Sequence, residues 1–280
     1  MKFKETKYVG FDGTRMFMAS WIPDNEKPRA LIIAIHGLGS HGLDLGTIGE
    51  FMAEKGIAVF APDMRGFGHF EGQKGHVMRF SEYIEDIQNL VMQVKDRFLN
   101  KITFLFGASL GGLMVLRYIM AYPRTVDGIL LQCPAVAQTL EISPVRRFFA
   151  RILSLLNVKR YYEGDVDLAD GSRSPEVVRR HETDPLRFHG VTPRFGIEAL
   201  KASEETFKEG ERITLPVFYQ QAGDDKLISP DRSKEFFESI ASKDKTFRMY
   251  EGLYHELHEE PEKDMVLAEM YGWLQKRLPS

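Results

Sequence analysis

A serine between two glycines lies where an apolar run meets a segment with helical spacing. Residues 107–111 have the sequence Gly-Ala-Ser-Leu-Gly, which follows the apolar run 102–106 and overlaps the helical segment 110–121. A serine that projects from a tight strand-to-helix turn holds a strained backbone, and small neighbours avoid collision with the strand and the helix. The helix N-terminus adds partial positive charge near a developing oxyanion. This placement predicts Ser109 as a nucleophile.

A serine of ordinary pKa needs a general base and an acid that orients the base. Downstream, Asp224 and Asp225 follow the apolar run 215–219, and His255 follows a predicted strand at 246–250. Open α/β sheets bind ligands at the carboxyl ends of their strands, so these loops are expected to converge on the serine. His255 is therefore the predicted base, and the two aspartates are alternative acids.

A tetrahedral intermediate also needs two preorganised N–H donors for its oxyanion. One donor normally comes from the residue after the nucleophile, here Leu110, and the other from a loop after an early strand. The sequence His-Gly-Leu-Gly at 36–39 follows the apolar run 30–35, and its glycines allow the backbone to fold around a site. We predict Leu38 as the second N–H donor and interpret the His36 side chain as a hydrogen-bonded structural group.

The order of apolar runs and helical segments predicts an α/β fold. Continuous apolar runs, typical of strands buried on both faces, alternate with segments of helical spacing, which indicates βαβ units and a mostly parallel sheet. An Asp-Gly pair at 12–13 between two apolar runs indicates an initial hairpin. The alternation stops after Pro134 and is recovered later. We therefore predict a core of residues 1–134 and 206–280, with a cap insertion at 135–205.

The clearest helix of the cap insertion is amphipathic. It starts at Ser143, an N-cap residue followed by proline at the first helical position. One interpretation is that its apolar face packs on the core, as in most surface helices. The other is that this face roofs an acyl-chain pocket while the arginines on the opposite side meet water or anionic head groups. The apolar side chains that would bind substrate are Phe148, Phe149, Ile152 and Leu156.

Composition excludes several classes of protein. A formal net charge of -3 argues against a nucleic-acid partner, which requires a concentrated basic face. Cys133 is the single cysteine, so an intramolecular disulfide and a CxxC motif are both excluded, and we interpret it as a buried small hydrophobe. The first residues lack the apolar region of a signal peptide, and no run is long enough for a membrane helix. We expect a cytoplasmic protein.

A second histidine, His258, lies three residues after His255, a spacing that could serve a metal on a helix. No third ligand accompanies the pair at a recognisable spacing. We therefore predict a hydrogen-bonding structural role for His258, no metal and no cofactor.

Four motifs together resemble the monoacylglycerol lipase and lysophospholipase family of α/β-hydrolases over nearly the whole chain. They are the oxyanion motif at 36–41, the nucleophile turn at 107–112, the return from cap to core at 184–193 and the terminal histidine motif at 251–258. The resemblance implies an α/β-hydrolase fold: a mostly parallel central sheet, flanking helices and an apolar helical cap. It also makes His255 the catalytic histidine and chooses Asp225 over Asp224.

One loop departs from the family pattern. Residues 63–72 resemble the loop that the family usually writes D-x-x-G-H-G-x-S-x-G, but Phe67 replaces its histidine and Phe70 its serine. Neither position belongs to the triad, so the change bears on loop packing and pocket shape and not on the class of reaction.

The predicted function is hydrolysis of carboxylic esters through an acyl-enzyme on Ser109. The family implies monoacylglycerol-like or lysophospholipid-like substrates, and the cap suggests transient membrane-surface contact; the oligomeric state stays open. One alternative uses the same triad as a thioesterase or an aminopeptidase, for which the cap offers acidic residues: Glu141, Glu163, Asp165 and Asp167. Another is a non-catalytic binding protein on a hydrolase scaffold, which the complete triad disfavours.

Overall fold

The computed structural model describes residues 1–138, 143–163 and 167–278. This part of the chain forms a central sheet of eight strands and a separate ladder of two short strands. The strands, in chain order, are β1 (Lys2–Val9), β2 (Arg15–Ile22), β3 (Ala30–Ile35), β4 (Ile57–Pro62), β5 (Ile102–Ala108), β6 (Gly128–Gln132), β7 (Tyr162–Glu163), β8 (Gly190–Val191), β9 (Val217–Ala222) and β10 (Lys245–Tyr250). The short strands β7 and β8 pair separately as an antiparallel ladder.

The sheet is antiparallel at one edge and parallel elsewhere. Its strand order is β1-β2-β4-β3-β5-β6-β9-β10. The hairpin predicted at the Asp-Gly pair forms between β1 and β2, and β2 also pairs antiparallel with β4. From β4 to β10 every neighbouring pair is parallel. The predicted α/β-hydrolase fold with a mostly parallel sheet is confirmed.

Helices cover both faces of the sheet. They are α1 (Gly46–Glu54), α2 (Ser81–Arg97), α3 (Leu110–Ala121), α4 (Pro144–Leu155), α5 (Pro175–Thr183), α6 (Pro193–Lys208), α7 (Pro230–Ser239) and α8 (Lys263–Gln275). Apolar side chains of α1 and α8 pack in one core layer, whereas those of α2, α3 and α7 pack in the layer on the other face. Burial of strands on both sides explains their continuous apolar sequences.

Helix α3 approaches the sheet unusually closely because its first turn carries glycines. A Cβ atom at Gly111 would lie 2.2 Å from the carbonyl oxygen of Ile35, and one at Gly112 would lie 2.6 Å from Cβ of Pro134. A larger side chain at either position would force the helix away from β3 and the loop after β6. The glycines therefore set the position of the turn that precedes this helix.

The cap insertion lies between β6 and β9 and contains α4, the β7–β8 ladder, α5 and α6. Helix α6 ends at Lys208, beyond the predicted boundary at residue 205, and contacts both α4 and α3. The boundaries of the cap insertion therefore stay a prediction. Within the described part of the chain, no helix is long and apolar enough to cross a membrane.

The apolar face of α4 is exposed, so the expectation that it packs on the core is wrong. Phe148 is 59%, Phe149 58%, Ile152 38% and Leu156 71% exposed. The helix contacts α6 through a different side, where Arg147 pairs with Glu204 at 2.7 Å and Ser154 is buried. Because Arg147 and Ser154 face α6, the four apolar side chains on the other side of α4 face outward.

Candidate active site

Ser109 lies in the turn between β5 and α3 with a strained backbone. Its φ of 53° and ψ of -119° fall in a region that few residues other than glycine adopt. Its N–H donates to the carbonyl of Gln132 and its carbonyl accepts from the N–H of Ala135, both at 2.9 Å. These two bonds fasten the turn to the end of β6. The strain is the feature expected of a serine that must project its hydroxyl from the sheet edge.

His255 and Asp225 form a buried hydrogen-bonded pair. Nδ1 of His255 lies 2.8 Å from Oδ2 of Asp225. The other carboxylate oxygen of Asp225 accepts from the backbone N–H groups of Leu227 and Ile228, each at 2.9 Å. The neighbouring Asp224 is exposed and makes a backbone hydrogen bond to the carbonyl of Leu253. The structure thus pairs the imidazole with the aspartate that the family resemblance selects.

The charges of this pair stabilise each other. Burial acts to raise the pKa of the Asp225 carboxyl, but the charge of His255 and the hydrogen bonds outweigh it and hold that pKa below its ordinary value. Burial likewise acts to lower the pKa of His255, but the carboxylate of Asp225 and a smaller effect of Glu256 raise it above its ordinary value. An imidazolium formed at His255 is therefore favoured by its surroundings.

Two backbone N–H groups beside Ser109 are available to an oxyanion. Among hydrogen bonds of the described residues, the N–H groups of Leu38 and Leu110 donate to no acceptor. The loop that carries Leu38 passes close to Ser109, since a Cβ atom at Gly37 would lie 3.3 Å from Cβ of Ser109. Two unpaired donors next to a nucleophile are what an oxyanion hole requires.

His36 is held by two backbone groups, as predicted for a structural histidine. Its Nδ1 lies 2.8 Å from the carbonyl oxygen of Gly37, and its Nε2 accepts from the N–H of Met64 at 2.9 Å. Burial lowers the pKa of His36 to about 4, so the ring is neutral at physiological pH. The ring fixes the loop that carries Leu38 and leaves proton transfer to other groups.

The loops that carry the three triad candidates meet around Cys133. Its Sγ, a ring nitrogen of His255 and a carboxylate oxygen of Asp225 lie within 4.8 Å of one another. Cys133 directly follows the end of β6 that binds the Ser109 backbone. In the described part of the chain no hydrogen bond joins the Ser109 hydroxyl to the His255 ring. Such bonds are often long in free enzymes and tighten when substrate binds.

Sequence reasoning missed the position of Cys133 beside His255 and Asp225, although it predicted a buried residue. Burial raises the pKa of its thiol well above the ordinary value, so the group is a neutral thiol and not a nucleophile. Its sulfur accepts from the N–H of Ala222 at 3.3 Å. No signal in the sequence indicates this neighbour, because the contact joins the ends of β6 and β9.

Among the residues that the structure describes, two groups of side chains have the donor types of a metal site, and hydrogen bonds already use them. The group of Cys133, Asp225 and His255 contains the pair described above, and in the other group His41 lies 2.9 Å from Asp184 beside Asp44. His258, weighed as a ligand from its spacing, places Nδ1 2.9 Å from Oε1 of Gln132. Its predicted structural role agrees with this bond.

The two phenylalanines that depart from the family pattern are packing residues. Phe67 is fully buried, with its ring edge-on to His36 at 6.1 Å and to Phe195 of α6 at 5.9 Å. Phe70 is partly buried, with the guanidinium of Arg65 5.8 Å from its ring centre. Phe67 therefore packs between His36 and the cap insertion.

The structure assigns a local contact to Asp167, one of the four acidic residues considered for recognition of an amino group. Glu141 and Asp165 lie outside the described residues, and Glu163 ends the short strand β7. The Asp167 carboxylate accepts from the N–H of Ala169 at 2.9 Å, where it caps a short helical turn. The Asp167 carboxylate thus acts as a helix cap.

Known proteins resemble this chain over nearly its whole length. A family model described as serine aminopeptidase, S33, matches residues 26–262. The monoacylglycerol lipase of Mycolicibacterium smegmatis is 30% identical over 98% of both chains, and the monoglyceride lipase of Rattus norvegicus is 31% identical over 96% of this chain and 90% of its own.

Solved structures agree with the fold. The monoacylglycerol lipase of Paleococcus ferrophilus superposes with a TM-score of 0.82 at 28% identity and covers 98% of each chain. A soluble variant of monoglyceride lipase from Saccharomyces cerevisiae reaches 0.87 at 20% identity, covering 100% of this chain and 97% of its own. The predicted family and the predicted class of enzyme, a carboxylester hydrolase, are confirmed. This chain therefore belongs to the serine aminopeptidase, S33, family of α/β-hydrolases, and to the monoacylglycerol lipases whose motifs it carries.

Proposed function

We propose that this enzyme hydrolyses monoacylglycerol-like esters, with Ser109, His255 and Asp225 as its catalytic triad. The observation that carries the assignment is the buried His255–Asp225 hydrogen bond of 2.8 Å at the sheet edge that holds the strained Ser109. A base with an orienting acid beside a projecting serine is the arrangement of nucleophilic acyl transfer. The names of the relatives, monoacylglycerol and monoglyceride lipases, support the substrate class.

Acylation begins when the Ser109 hydroxyl attacks the ester carbonyl carbon and Nε2 of His255 takes its proton. Asp225 holds Nδ1 of the ring, so Nε2 is the nitrogen left to accept, and its carboxylate stabilises the imidazolium. The carbonyl oxygen becomes an oxyanion that receives hydrogen bonds from the N–H groups of Leu38 and Leu110. The intermediate then breaks its bond to the alcohol, which leaves with the proton held by His255.

Deacylation repeats the chemistry with water as the nucleophile. His255 removes a proton from water, whose oxygen attacks the acyl carbon, and the second oxyanion uses the same two N–H groups. Cleavage of the bond to Ser109 releases the fatty acid and returns the proton to the serine oxygen. Every proton is taken and returned by His255, so the cycle requires no cofactor.

The outward face of α4 supports a proposal about how substrate reaches the site. Phe148, Phe149, Ile152 and Leu156 form a contiguous apolar group on the cap insertion, and the rings of Phe148 and Phe149 contact each other at 5.7 Å. We propose that these side chains enter a lipid surface transiently and contact the acyl chain as it leaves that surface. Burial of aromatic side chains in lipid is favourable, whereas their exposure to water is not.

We also propose a cytoplasmic location. The single cysteine is buried, which agrees with a protein whose stability does not depend on an oxidising compartment.

A paired substrate experiment tests the function. Purified wild-type and Ser109→Ala proteins are compared on monoacylglycerols and nitrophenyl esters of increasing chain length, on acyl thioesters and on aminoacyl anilides. We expect the wild type to prefer monoacylglycerols, with the Ser109→Ala variant inactive and unlabelled by a fluorophosphonate probe. A wild type that cleaves thioesters or aminoacyl anilides faster than esters would replace the proposed substrate class, and a labelled, active Ser109→Ala variant would refute the nucleophile.

A further inference from the structure

A buried ion-pair cluster joins the cap insertion to two loops of the active site. Its centre is Arg187, whose side chain is 4% exposed. The guanidinium lies 2.9 Å from Oδ2 of Asp44 and 3.7 Å from Oε1 of Glu256. It also lies 2.9 Å from Nε2 of His181 on α5. The three partners come from three separate segments of the chain, so the cluster exists only in the folded protein.

Each carboxylate of the cluster stands on a loop that the reaction uses. Asp44 belongs to the oxyanion loop, residues 36–45 between β3 and α1, and its Oδ2 accepts from the Ser40 hydroxyl at 2.6 Å. Glu256 directly follows His255 in the histidine loop, residues 251–262 after β10, and its N–H donates to the carbonyl of Gly171 at 2.8 Å. Arg187 therefore contacts both loops.

Arg187 provides the main positive charge of the cluster. Asp44 is 7% and Glu256 23% exposed, so both carboxylates have lost most of their contact with water. Burial acts to raise the pKa of each carboxyl, but the charge of Arg187 outweighs it, aided by nearby histidines, so both groups stay ionised. Without the guanidinium, two buried negative charges would lack their main partner, and the loops would separate or rearrange.

We propose that Arg187 is a positioning residue that fixes the oxyanion loop and the histidine loop against the cap insertion through its ion pairs with Asp44 and Glu256. The inference rests on the proposed function, because it assigns a purpose to the placement of Leu38 and His255. A displacement of about 1 Å at reacting groups can cost about a hundredfold in rate, so fixing both loops at once has direct catalytic value.

The cluster also affects the pKa of His255, the proposed general base. Asp225 is the main charge that raises the pKa of His255, and Glu256 adds to it. Cys133 beside this pair is a neutral thiol. The other ionisable groups around Arg187 and its two carboxylate partners are His41, Asp184, Arg180, His181, His258 and Glu259. Since Arg187 offsets the Glu256 charge, removing Arg187 and removing Glu256 should move the pKa of His255 in opposite directions.

The test compares pH profiles of kcat/KM on a short nitrophenyl ester for the wild type and for Arg187→Met, Arg187→Lys and Glu256→Gln. We expect Arg187→Met to lose roughly 10- to 100-fold in kcat/KM, mainly through kcat, and Arg187→Lys to recover part of that loss. On the acidic side of the profile, kcat/KM reaches half of its plateau at a pH that reports the pKa of His255. We expect this pH to rise by about 0.5 unit in Arg187→Met and to fall by a similar amount in Glu256→Gln. Thermal unfolding of each variant separates these effects from loss of fold.

Arg117→Met is the matched control, because Arg117 joins α3 to the cap insertion through Glu205 at 3.4 Å and also pairs with Glu209 at 3.3 Å, while neither partner lies in the oxyanion loop or the histidine loop. This variant should keep the kcat/KM of the wild type and the same pH of half-maximal kcat/KM. Equal behaviour of the Arg187→Met and Arg117→Met variants would overturn the proposal. So would a half-maximum of kcat/KM that moves in the same direction in Arg187→Met and Glu256→Gln. If Arg187→Met does not fold, the proposal is tested by two other results: the pH of half-maximal kcat/KM in Glu256→Gln and the partial activity of Arg187→Lys. Fluorophosphonate labelling of the wild type at Ser109 reports on the proposed function independently.

Discussion

Asp225 gives one carboxylate oxygen to the ring of His255 and the other to two backbone N–H groups. The ring nitrogen Nδ1 lies 2.8 Å from Oδ2, and the N–H groups of Leu227 and Ile228 lie 2.9 Å from Oδ1. Because the backbone bonds fix the carboxylate, the carboxylate fixes the plane and tautomer of the imidazole. The adjacent Asp224 is exposed and has no comparable relation to the ring.

Amide substitution at the two aspartates should separate their roles. In Asp225→Asn the amide stabilises the wrong tautomer and no longer stabilises the imidazolium, so we expect kcat to fall by about 10³- to 10⁴-fold. In Asp224→Asn, the matched control, kcat should stay within about twofold because surface substitutions rarely disturb a distant group. Steady-state kinetics on a nitrophenyl ester measures both. Loss of activity in Asp224→Asn alone would reverse the assignment.

The pH dependence of the reaction follows from the direction of the His255 pKa. His255 must be neutral to accept the Ser109 proton, and its pKa is raised above 6.5. We therefore expect kcat/KM to be low in acid, to rise as pH passes the raised pKa, and to reach half its plateau above pH 6.5. A pH profile on a substrate without ionisable groups checks this, and a half-maximum below that value would contradict it.

The close approach of α3 to β3 predicts opposite effects of alanine at two helical glycines. In Gly111→Ala the new methyl group would lie 2.2 Å from the carbonyl oxygen of Ile35, so we expect the free energy of unfolding to fall by about 2–4 kcal/mol. In Gly196→Ala on α6 no atom lies within 4 Å of the added carbon, so we expect the free energy of unfolding to rise by about 0.5–1 kcal/mol. Urea unfolding measures both, and equal effects would contradict the packing described.

The exposed face of α4 predicts a selective loss on lipid surfaces. We expect Phe148→Ser combined with Phe149→Ser to reduce binding to phospholipid vesicles roughly tenfold or more, because two aromatic side chains no longer enter the lipid. Hydrolysis of monoacylglycerol held in vesicles should fall with it, while hydrolysis of a short dissolved ester stays within about twofold. Sedimentation with vesicles measures the binding.

A matched pair refines this experiment. Leu156 on the cap insertion and Leu99 after α2 are both 71% exposed, so each serine substitution removes a similar exposed apolar side chain. Leu156→Ser should weaken vesicle binding and Leu99→Ser should leave it unchanged. Equal effects would show that general hydrophobicity, and not the α4 face, governs the contact.

The sequence by itself determined the parts of this protein that depend on local pattern. Apolar runs and helical spacing placed several elements within a residue or two: the predicted helical segment 110–121 is observed at Leu110–Ala121 and the predicted strand 246–250 at Lys245–Tyr250. The glycine-flanked Ser109 and the family motifs indicated the nucleophile and the fold. Local spacing carries this information because helices and strands have fixed periods.

Only the tertiary structure decided which side of α4 faces outward and which charges meet at Arg187. Periodicity shows that α4 has an apolar face, but the Arg147–Glu204 pair with α6 turns the opposite side toward the protein. The contacts of Arg187 with Asp44 and Glu256 join segments that lie far apart in the chain. Such contacts arise from packing between elements, and the period of one element contains no information about its neighbour.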